Sequence, residues 1–374
     1  MTTHWLRPGW RSRSVTARPD AELARLTAQV EALQAELAGL RAKRSDVAEP
    51  RLTPASFKDR LSVLRRMSQE PDVHDPETVH PFRQLPFKLR TQRLAESHGV
   101  ATPEVFDVWP DLDQVNLEQL PDGFVLKSDR GAGGKGVLAM QRMGPDRYRV
   151  VGRPGPWTAQ RALDHLRTVA ATGKIDGPYF AEQLLRTPQG EPVTDDIKIY
   201  SFYGEVGQVL LRRLVNPTDP STTRNRYVSA GGTDLRAVRS ERAISTQIPV
   251  PDSLPQAVRI AEHLSRAVGL PFCRVDVYDT DAGVILGEIT RAPGGPQQYR
   301  PAHDEQLGLA WDRARWRLER DLAMGRPFGI IHGDRPAPSR YPAGHPSHEA
   351  DHTVWNRPVL PCRVWCGSEG RSGP

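Results

Sequence analysis

Residues 272–295 read FCRVDVYDTDAGVILGEITRAPGG, and the fold turns on how this stretch pairs with itself. Two apolar-rich runs, 272–279 and 284–290, flank a set of turn residues. A three-residue loop Asp281-Ala282-Gly283, with Gly283 in the left-handed position, joins them as a hairpin and pairs Thr280 with Val284. In that register Asp276 stands opposite Glu288 and Arg274 opposite Thr290, all on one face, because side chains alternate along a strand. Cys273, Val275, Val277, Ile285 and Ile289 take the other face, toward a core. Two carboxylates facing each other across a ladder repel by about 4 kcal/mol at contact distance and an effective dielectric near 20. Something positive must stand between them. Arg274 is one candidate and Mg²⁺ another, since that ion is usually held by one or two carboxylates plus phosphates. If Asp276 and Glu288 hold Mg²⁺ jointly, Asp276→Asn is expected to abolish turnover with the fold intact and, by removing one buried repulsion, to leave stability level or raise it. A solvated face with a structural Arg–carboxylate pair is the reading that needs no ligand.

Composition narrows the classes. At 374 residues the chain has room for one large or two medium domains. A net charge of +6 and a pI near 9.4 suit anionic partners such as nucleotides, acidic glycans or anionic lipid head groups. Nucleic acid is not indicated: there is no zinc-finger spacing, no RNP-like motif and no recognition helix. Three cysteines give no disulfide framework and fit a reducing cytosol. Residues 1–18 are basic but lack the apolar core of a secretory signal, and no apolar run is long enough to span a bilayer. A soluble cytoplasmic protein, at most peripheral to a membrane, is expected.

Working back from the hairpin, residues 251–269 read as an amphipathic helix leading into it. Residues 195–203 (DDIKIYSFY) and 206–214 form another hairpin around Gly204-Glu205, with Lys198 on the face of Asp196, Tyr200 and Phe202. Residues 178–185 (PYFAEQLL) are a strand with one acid, Glu182. Between short strands at 124–127 and 137–140 lies SDRGAGGKG, residues 128–136. Gly131, Gly133 and Gly136 satisfy GxGxxG, but no helix follows, so this is not the dinucleotide fingerprint. Nor is it a Walker A loop, since Gly136 stands where Ser or Thr should follow the lysine. What remains is a strand–flap–strand unit whose amides, with Lys127 and Lys135 as counter-charges, can close over phosphates. A flexible hairpin tip is the plain alternative. HRD and DFG sequences are absent, which argues against a protein kinase. Residues 87–98 (FKLRTQRLAESH) form a helix closed by Gly99, with Lys88 in its first turn. Helices are also expected at 157–172 and 310–324, and a long polar loop at 216–232.

Toward the N-terminus, Leu23, Leu26, Val30, Leu33, Leu37 and Leu40 recur at alternating spacings of three and four, an a/d seam with Asp20 as N-cap. The seam serves equally a helix packed on its own domain or a homo-oligomer formed through residues 23–40. The chain thus divides into a disordered basic arm 1–18, a heptad helix 19–44 and a linker 45–84 with a helical patch near 57–67. A domain at 85–328 follows, with an N-terminal part 85–185 carrying the flap and a catalytic lobe 186–328 carrying the acidic hairpin. The Pro/His-rich tail 329–374 reads as disordered. His348, His352, Cys362 and Cys366 have ligand-like spacing within it, a zinc site set against that plain reading.

Taken in order, FKLRTQRLAESHGVATPE, LPDGFVLKSDRGAGGKGV, YFAEQLL, DDIKIYSFYGEV and RVDVYDTDAGVILGEITRAPGG resemble the ATP-grasp superfamily. The likeness is specifically to its TupA-like branch, named after teichuronopeptide biosynthesis, and covers about residues 85–328. It implies an α+β fold, two lobes with antiparallel sheets that enclose ATP. Carried over residue by residue, it implies that Lys88 and Lys127 contact the phosphates under a flap made of Gly131, Gly133, Gly134, Lys135 and Gly136. Glu182 would lie along the adenine and ribose, and Lys198 would reach a phosphate. Asp276 and Glu288 would hold Mg²⁺, and Arg274 would steady the transferring phosphoryl group. Two positions depart from the superfamily pattern. Phe87 stands where most members have Asp, and Thr290 stands where Asn often supplies a further metal ligand. The implied activity is an ADP-forming ligase that uses ATP and Mg²⁺ to join an amine to a carboxylate through an acyl phosphate. Its implied substrates are an amino acid or peptide and a carboxylate of a cell-surface polysaccharide precursor. A phosphotransferase acting on a hydroxyl and a non-catalytic nucleotide-binding scaffold stay open beside it. Arg212, Arg213 and Arg291 are candidates for acidic sugars, or are simply solvated.

Overall fold

The computed structural model describes residues 17–46, 53–70, 80–131, 133–192, 195–215, 220–236, 238–239, 244–295, 297–345, 347–348 and 362–367. The chain divides into two compact units, Met1–Pro54 and Ala55–Pro374. The first contains helix α1, Ala17–Asp46, over the predicted heptad stretch. Leu23, Leu26, Val30, Leu33 and Leu37 are exposed along it. Ala, Leu, Glu and Arg, the strong helix formers, carry this helix by propensity rather than by burial. Most of the basic arm expected at 1–18 lies outside the described residues.

The second unit is built on two antiparallel sheets, each strand pairing with a neighbour of opposite direction. The first runs in the order β1-β6-β2-β3-β4-β5. Its strands are β1 (Val105–Trp109), β2 (Gly123–Gly131), β3 (Val137–Gly144), β4 (Arg147–Val150), β5 (Pro156–Trp157) and β6 (Ile175–Gln183). The second runs β11-β10-β7-β8-β9. It consists of β7 (Asp196–Ser201), β8 (Val206–Leu214), β9 (Thr223–Val228), β10 (Cys273–Thr280) and β11 (Gly283–Thr290). β9 lies in the stretch expected to be a polar loop; paired to β8 over Thr223 to Val228, it is the sheet's edge strand. Its outer side is partly covered, since the Leu235 and Ser245 amides bond the Tyr227 and Asn225 carbonyls at 2.9 and 2.8 Å.

Helices complete the cores. Ala162, Leu163 and Leu166 of α5 (Ala159–Ala170), which Thr158 caps through its hydroxyl, pack under the first sheet. α6 (Leu254–Val268) ends at Gly269, whose φ of 71° is the left-handed turn that glycine adopts freely. It packs with α7 (Pro301–Ala323) on the second sheet. So does α2 (Phe57–Met67), whose Phe57 ring sits 5.1–6.1 Å from Tyr200, Phe202, Phe272, Tyr299 and Trp311. Residues 55–67 therefore belong to this core rather than to a linker, and the boundary expected at residue 85 moves upstream. Phe57, Leu61 and Leu64 recur at helical spacing on one face, the signal that fixes it. α3 (Pro81–Gln84) and α4 (Lys88–Ser97) follow.

The tail also departs from expectation. Ile331 is fully buried and its amide bonds the Ala267 carbonyl at 2.8 Å; the Arg335 amide bonds the Ser97 carbonyl at 3.0 Å. Residues 331–335 thus dock by backbone bonds on the C-terminal ends of α4 and α6, and Tyr341 packs farther on against Leu89 and Phe180. Composition alone hid this, because the segment docks by main-chain bonds and a few aromatic rings rather than by an apolar run.

The β10–β11 hairpin holds the largest lesson in register. Thr280 pairs with Gly283, not Val284, so the loop is one residue shorter than predicted. A bulge between Asp276 and Val277 then restores the offset, and Asp276 faces Glu288 and Arg274 faces Thr290 as expected. Gly287 is the extra residue; a Cβ there would meet the Tyr278 ring at 2.6 Å. Between turn and bulge the faces are exchanged. Ile285 lies opposite Tyr278, on the Asp276 side, while Val284 and Leu286 join the core in the place given to Ile285.

Candidate active site

Lys198 of β7, Asp276 of β10 and Glu288 of β11 occupy one cross-strand row, with Arg274 two residues along β10. Asp276 is buried and takes three short bonds. Arg274 Nε donates to its Oδ1 at 2.6 Å, Arg274 Nη2 to its Oδ2 at 2.7 Å, and Lys198 Nζ to the same Oδ2 at 2.6 Å. Arg274 Nη2 also reaches Glu288 Oε1 at 3.3 Å. The positive partner that the facing carboxylates require is thus supplied by two cations of the chain itself. Burial alone would raise the Asp276 carboxyl, but Arg274 and Lys198 outweigh it and hold the group below the usual carboxylate range. Burial would likewise lower both cations; the attraction of Asp276 raises each of them instead.

The facing wall comes from the first sheet. Lys127 on β2 forms an ion pair with Glu182 on β6, one diagonal step away in the ladder. Glu182 Oε2 accepts a second bond from Gln92 Nε2 of α4 at 2.8 Å. Lys88 behaves unlike its expected role. Its ammonium donates to the carbonyls of Ser128, Asp129 and Gly131 at 2.8, 3.1 and 3.3 Å, which occupies its three protons. In this geometry Lys88 anchors the glycine-rich flap instead of presenting a free charge, and burial lowers its pKa.

The flap is the loop between β2 and β3. Gly133 and Gly134 take φ of 70° and 71° with open space around them, and Lys135 is exposed at the tip. Gly136 is needed for a different reason: a Cβ would lie 2.0 Å from Ser128 Oγ. Asp129 at the flap's base is fully buried. It accepts from the Leu89 amide at 2.9 Å and from the Tyr341 hydroxyl at 2.7 Å, so a residue of the tail braces the flap. Burial raises the Asp129 pKa despite these bonds.

All twelve residues singled out by sequence, Lys88, Lys127, Gly131, Gly133, Gly134, Lys135, Gly136, Glu182, Lys198, Arg274, Asp276 and Glu288, line one cleft of about 1420 Å³ between the sheets. Arg212 and Arg291 line it too, whereas Arg213 does not and instead pairs with Asp195 at 2.6 Å. Arg65, Arg239, Tyr200, Tyr278 and Gln297 were missed. Tyr278 could have been found from its alternation with Asp276 and Arg274. Burial keeps its hydroxyl neutral, far above the ordinary tyrosine pKa. Nothing local in the sequence marks Arg65, which reaches the cleft from α2 by bonding the Pro293 and Gly295 carbonyls.

Cations outnumber free acids here. Each acid lining the cleft stands within ion-pair distance of a base: Glu182 of Lys127, Asp196 of Lys198 and Arg212, Asp276 of Lys198 and Arg274, Glu288 of Arg274, and Asp176 of Arg130. No histidine lines the cleft among the described residues. The arrangement suits anion binding by flap amides and ammonium groups with charge neutralisation beside a carboxylate pair.

A family model described as TupA-like ATPgrasp matches residues 76–311. The chain belongs to the TupA-like ATP-grasp family. ATP-grasp proteins are generally ATP-dependent ligases, and their fold typically binds ATP with Mg²⁺. Among solved structures, the chain is similar to D-alanine–D-alanine ligase from Bacillus anthracis complexed with ATP, at 13% identity and a TM-score of 0.40, over 64% of this chain and 69% of that one. It is similar to N5-carboxyaminoimidazole ribonucleotide synthetase in an ADP complex at 11% identity and a TM-score of 0.37, over 64% and 52%. It is also similar to the ATP-grasp ligase PsnB complexed with a phosphomimetic variant of its minimal precursor, Mg and ADP, at 15% identity and a TM-score of 0.34, over 64% and 60%. No curated protein matches. No helix among the described residues is long and apolar enough to cross a membrane.

Proposed function

We propose that the cleft binds ATP and uses it to activate a carboxylate as an acyl phosphate, which an amine then attacks, releasing ADP and phosphate. The flap amides with Lys127 and Lys135 take the phosphates, Glu182 lies toward the adenosine, and Lys198 and Arg274 steady the phosphoryl group in transfer. The donor set fits Mg²⁺. Asp276 uses three of about four lone-pair sites, leaving one on Oδ1, and Glu288 is only partly covered, so the pair offers hard oxygens at the cleft surface. Mg²⁺ held by Asp276 and Glu288 would supply further charge neutralisation at the phosphates. The cleft volume exceeds the ~300–1,000 Å³ of a typical single-ligand pocket, which leaves room for an acceptor beside the nucleotide.

The observation that carries the ligase reading is the lack of a free base. A hydroxyl acceptor generally wants a positioned proton acceptor, yet among the described residues each acid lining the cleft is ion-paired and no lining residue is histidine. A carboxylate, already ionised at neutral pH, needs none. Arg65, Arg212, Arg239 and Arg291 around the same cleft favour an anionic acceptor. With the family resemblance, this supports a carboxylate of a cell-surface polysaccharide precursor as acceptor and an amino acid or peptide as donor.

The test supplies ATP, Mg²⁺ and a panel of uronic acids, amino acids and their oligomers, with hydroxylamine as trap. A hydroxamate should appear together with ADP and phosphate. A phosphorylated hydroxyl product with no hydroxamate replaces the ligase by a phosphotransferase, and ATP binding without acceptor-dependent turnover replaces it by a scaffold.

A further inference from the structure

A second cluster of functional side chains lies outside the cleft. His98 follows the last turn of α4, His263 lies on α6, Cys362 opens a short 3-10 turn, Cys362–Val364, and Cys366 lies just beyond it. His98 Nδ1 is 3.0 Å from His263 Nε2, and Cys362 Sγ is 4.0 Å from that same Nε2. These three donor atoms all fall within 4.8 Å of one another. Cys366 is joined to Cys362 as a disulfide, which brings its sulfur into the same group. A tetrahedral zinc site, with nitrogen at ~2.0–2.1 Å and sulfur at ~2.3 Å from the metal, sets its ligand atoms roughly 3.3–3.8 Å apart. The cluster has that scale.

We infer that, with the two cysteines reduced, His98, His263, Cys362 and Cys366 bind Zn²⁺ as a closed Cys₂His₂ structural site. The chemistry balances with a thiol reductant. Two reductant thiols give two electrons and two protons to the Cys362–Cys366 bond, producing two protein thiols and the reductant's own disulfide; a phosphine does the same with one water, which supplies the two protons and leaves its oxygen on the phosphine oxide. Zn²⁺ uptake then releases one proton from each thiol, while the imidazoles bind neutral. Two thiolates cancel the ion's charge, which a buried location requires: Cys362 and Cys366 are 4% and 2% exposed.

Hydrogen bonding has already set one ligand. His98 Nε2 lies 2.9 Å from the Ile331 carbonyl, a contact only an N–H can make, so Nδ1 carries the lone pair and faces the cluster. Burial lowers the pKa of His98 to about 4 and also lowers that of His263, so both rings are neutral at pH 7. The ligand turn is held on α6 by Arg266 Nη1, which bonds the Gly367 carbonyl at 3.1 Å. The set differs from the one the tail's own spacing suggested. His348 Nδ1 instead contacts the Tyr341 carbonyl at 2.8 Å, and His352 lies outside the described residues. A disulfide between Cys362 and Cys366 closes only a local turn; a metal would tie that turn to α4 and α6. The N-terminal half of α4 carries Lys88 and Gln92, the residues that fix the flap and Glu182.

The test uses the 374-residue chain purified and kept under a non-chelating phosphine reductant, with zinc counted by elemental mass spectrometry. About one zinc per chain is expected, with X-ray absorption at the zinc edge giving two sulfur and two nitrogen neighbours. Oxidation to the disulfide should release the metal, and Cys362→Ser and His263→Ala should each abolish stoichiometric zinc. Substoichiometric zinc in the reduced wild-type chain, or an absorption spectrum without two sulfurs, overturns the inference. The wild-type measurement decides the matter even if a variant does not fold.

Discussion

Asp276→Asn separates two accounts of the acidic hairpin. If the facing carboxylates merely repel, removing one charge relieves the chain. The structure argues the reverse. Asp276 is 2% exposed and is the counter-charge of two buried cations, Arg274 and Lys198, through bonds of 2.6–2.7 Å. Asparagine keeps one acceptor and turns an NH₂ toward groups that only donate, so both cations lose their nearest partner charge, keeping only Asp196 at 3.4 Å and Glu288 at 3.3 Å, and one donor contact becomes repulsive. Breaking a buried pair from one side costs about 3–5 kcal/mol, which for a unit of this size is on the order of 10 °C in Tm. The pH dependence follows from the lowered pKa. A carboxyl depressed in the folded state contributes stability that is full above the unfolded value, about 3.9. That contribution is lost as pH falls through the folded one. Urea denaturation of both proteins at pH 7 and at steps down to pH 3 reads this directly. The stability gap should be full at neutral pH and begin to narrow once pH falls below about 3.9. A variant as stable as wild type at pH 7, or more so, refutes the argument and restores the repulsion account.

Gly136→Ala should weaken ATP binding roughly tenfold or more by displacing the flap, because the added methyl lands on Ser128 Oγ; calorimetric titration with ATP checks it, and an unchanged Kd would show that the flap plays no part. Tyr341→Phe removes one of the bonds that Asp129 accepts in the core and should cost about 1–3 kcal/mol in denaturant unfolding. No loss would mean that the tail does not brace the flap. Deleting residues 1–50 should leave ATP affinity unchanged and, if the exposed seam of α1 self-associates, lower the mass seen by light scattering. An unchanged mass would assign no oligomer to that helix.

Much of the site was legible because its residues sit on regular strands. Alternation put Arg274, Asp276 and Glu288 on one face, and the same alternation on β7 brought Lys198 to them. What the sequence concealed was of three physical kinds. Pairing across long separations is one: nothing near Lys88 announces that three carbonyls of the flap will take its protons. Docking without an apolar run is another, as in the tail, where Tyr341 reaches Asp129 and amides satisfy helix ends. Convergence of distant ligands is the third. His98 and His263 carry no mutual spacing signal, so the cysteines were matched to the histidines nearest in sequence rather than nearest in space.

The hairpin shows how a correct pairing can rest on an incorrect path. A three-residue loop predicts Asp276 opposite Glu288; the true loop is one residue shorter, which alone would put Asp276 opposite Gly287. The bulge supplies the missing residue, and two offsets of opposite sense cancel. The readable sign was Gly287 itself, a glycine inside an otherwise apolar run, since an isolated glycine in a strand marks a bulge or a close approach. Here it marks both, because any side chain at 287 would strike the Tyr278 ring. The bulge therefore does more than restore a register. It lets Leu286 enter the core and Glu288 face the cleft although only Gly287 separates them, two same-side neighbours that a regular strand would force onto one face. A fully regular hairpin could keep the carboxylate pair or the packed apolar residue in its place, but not both.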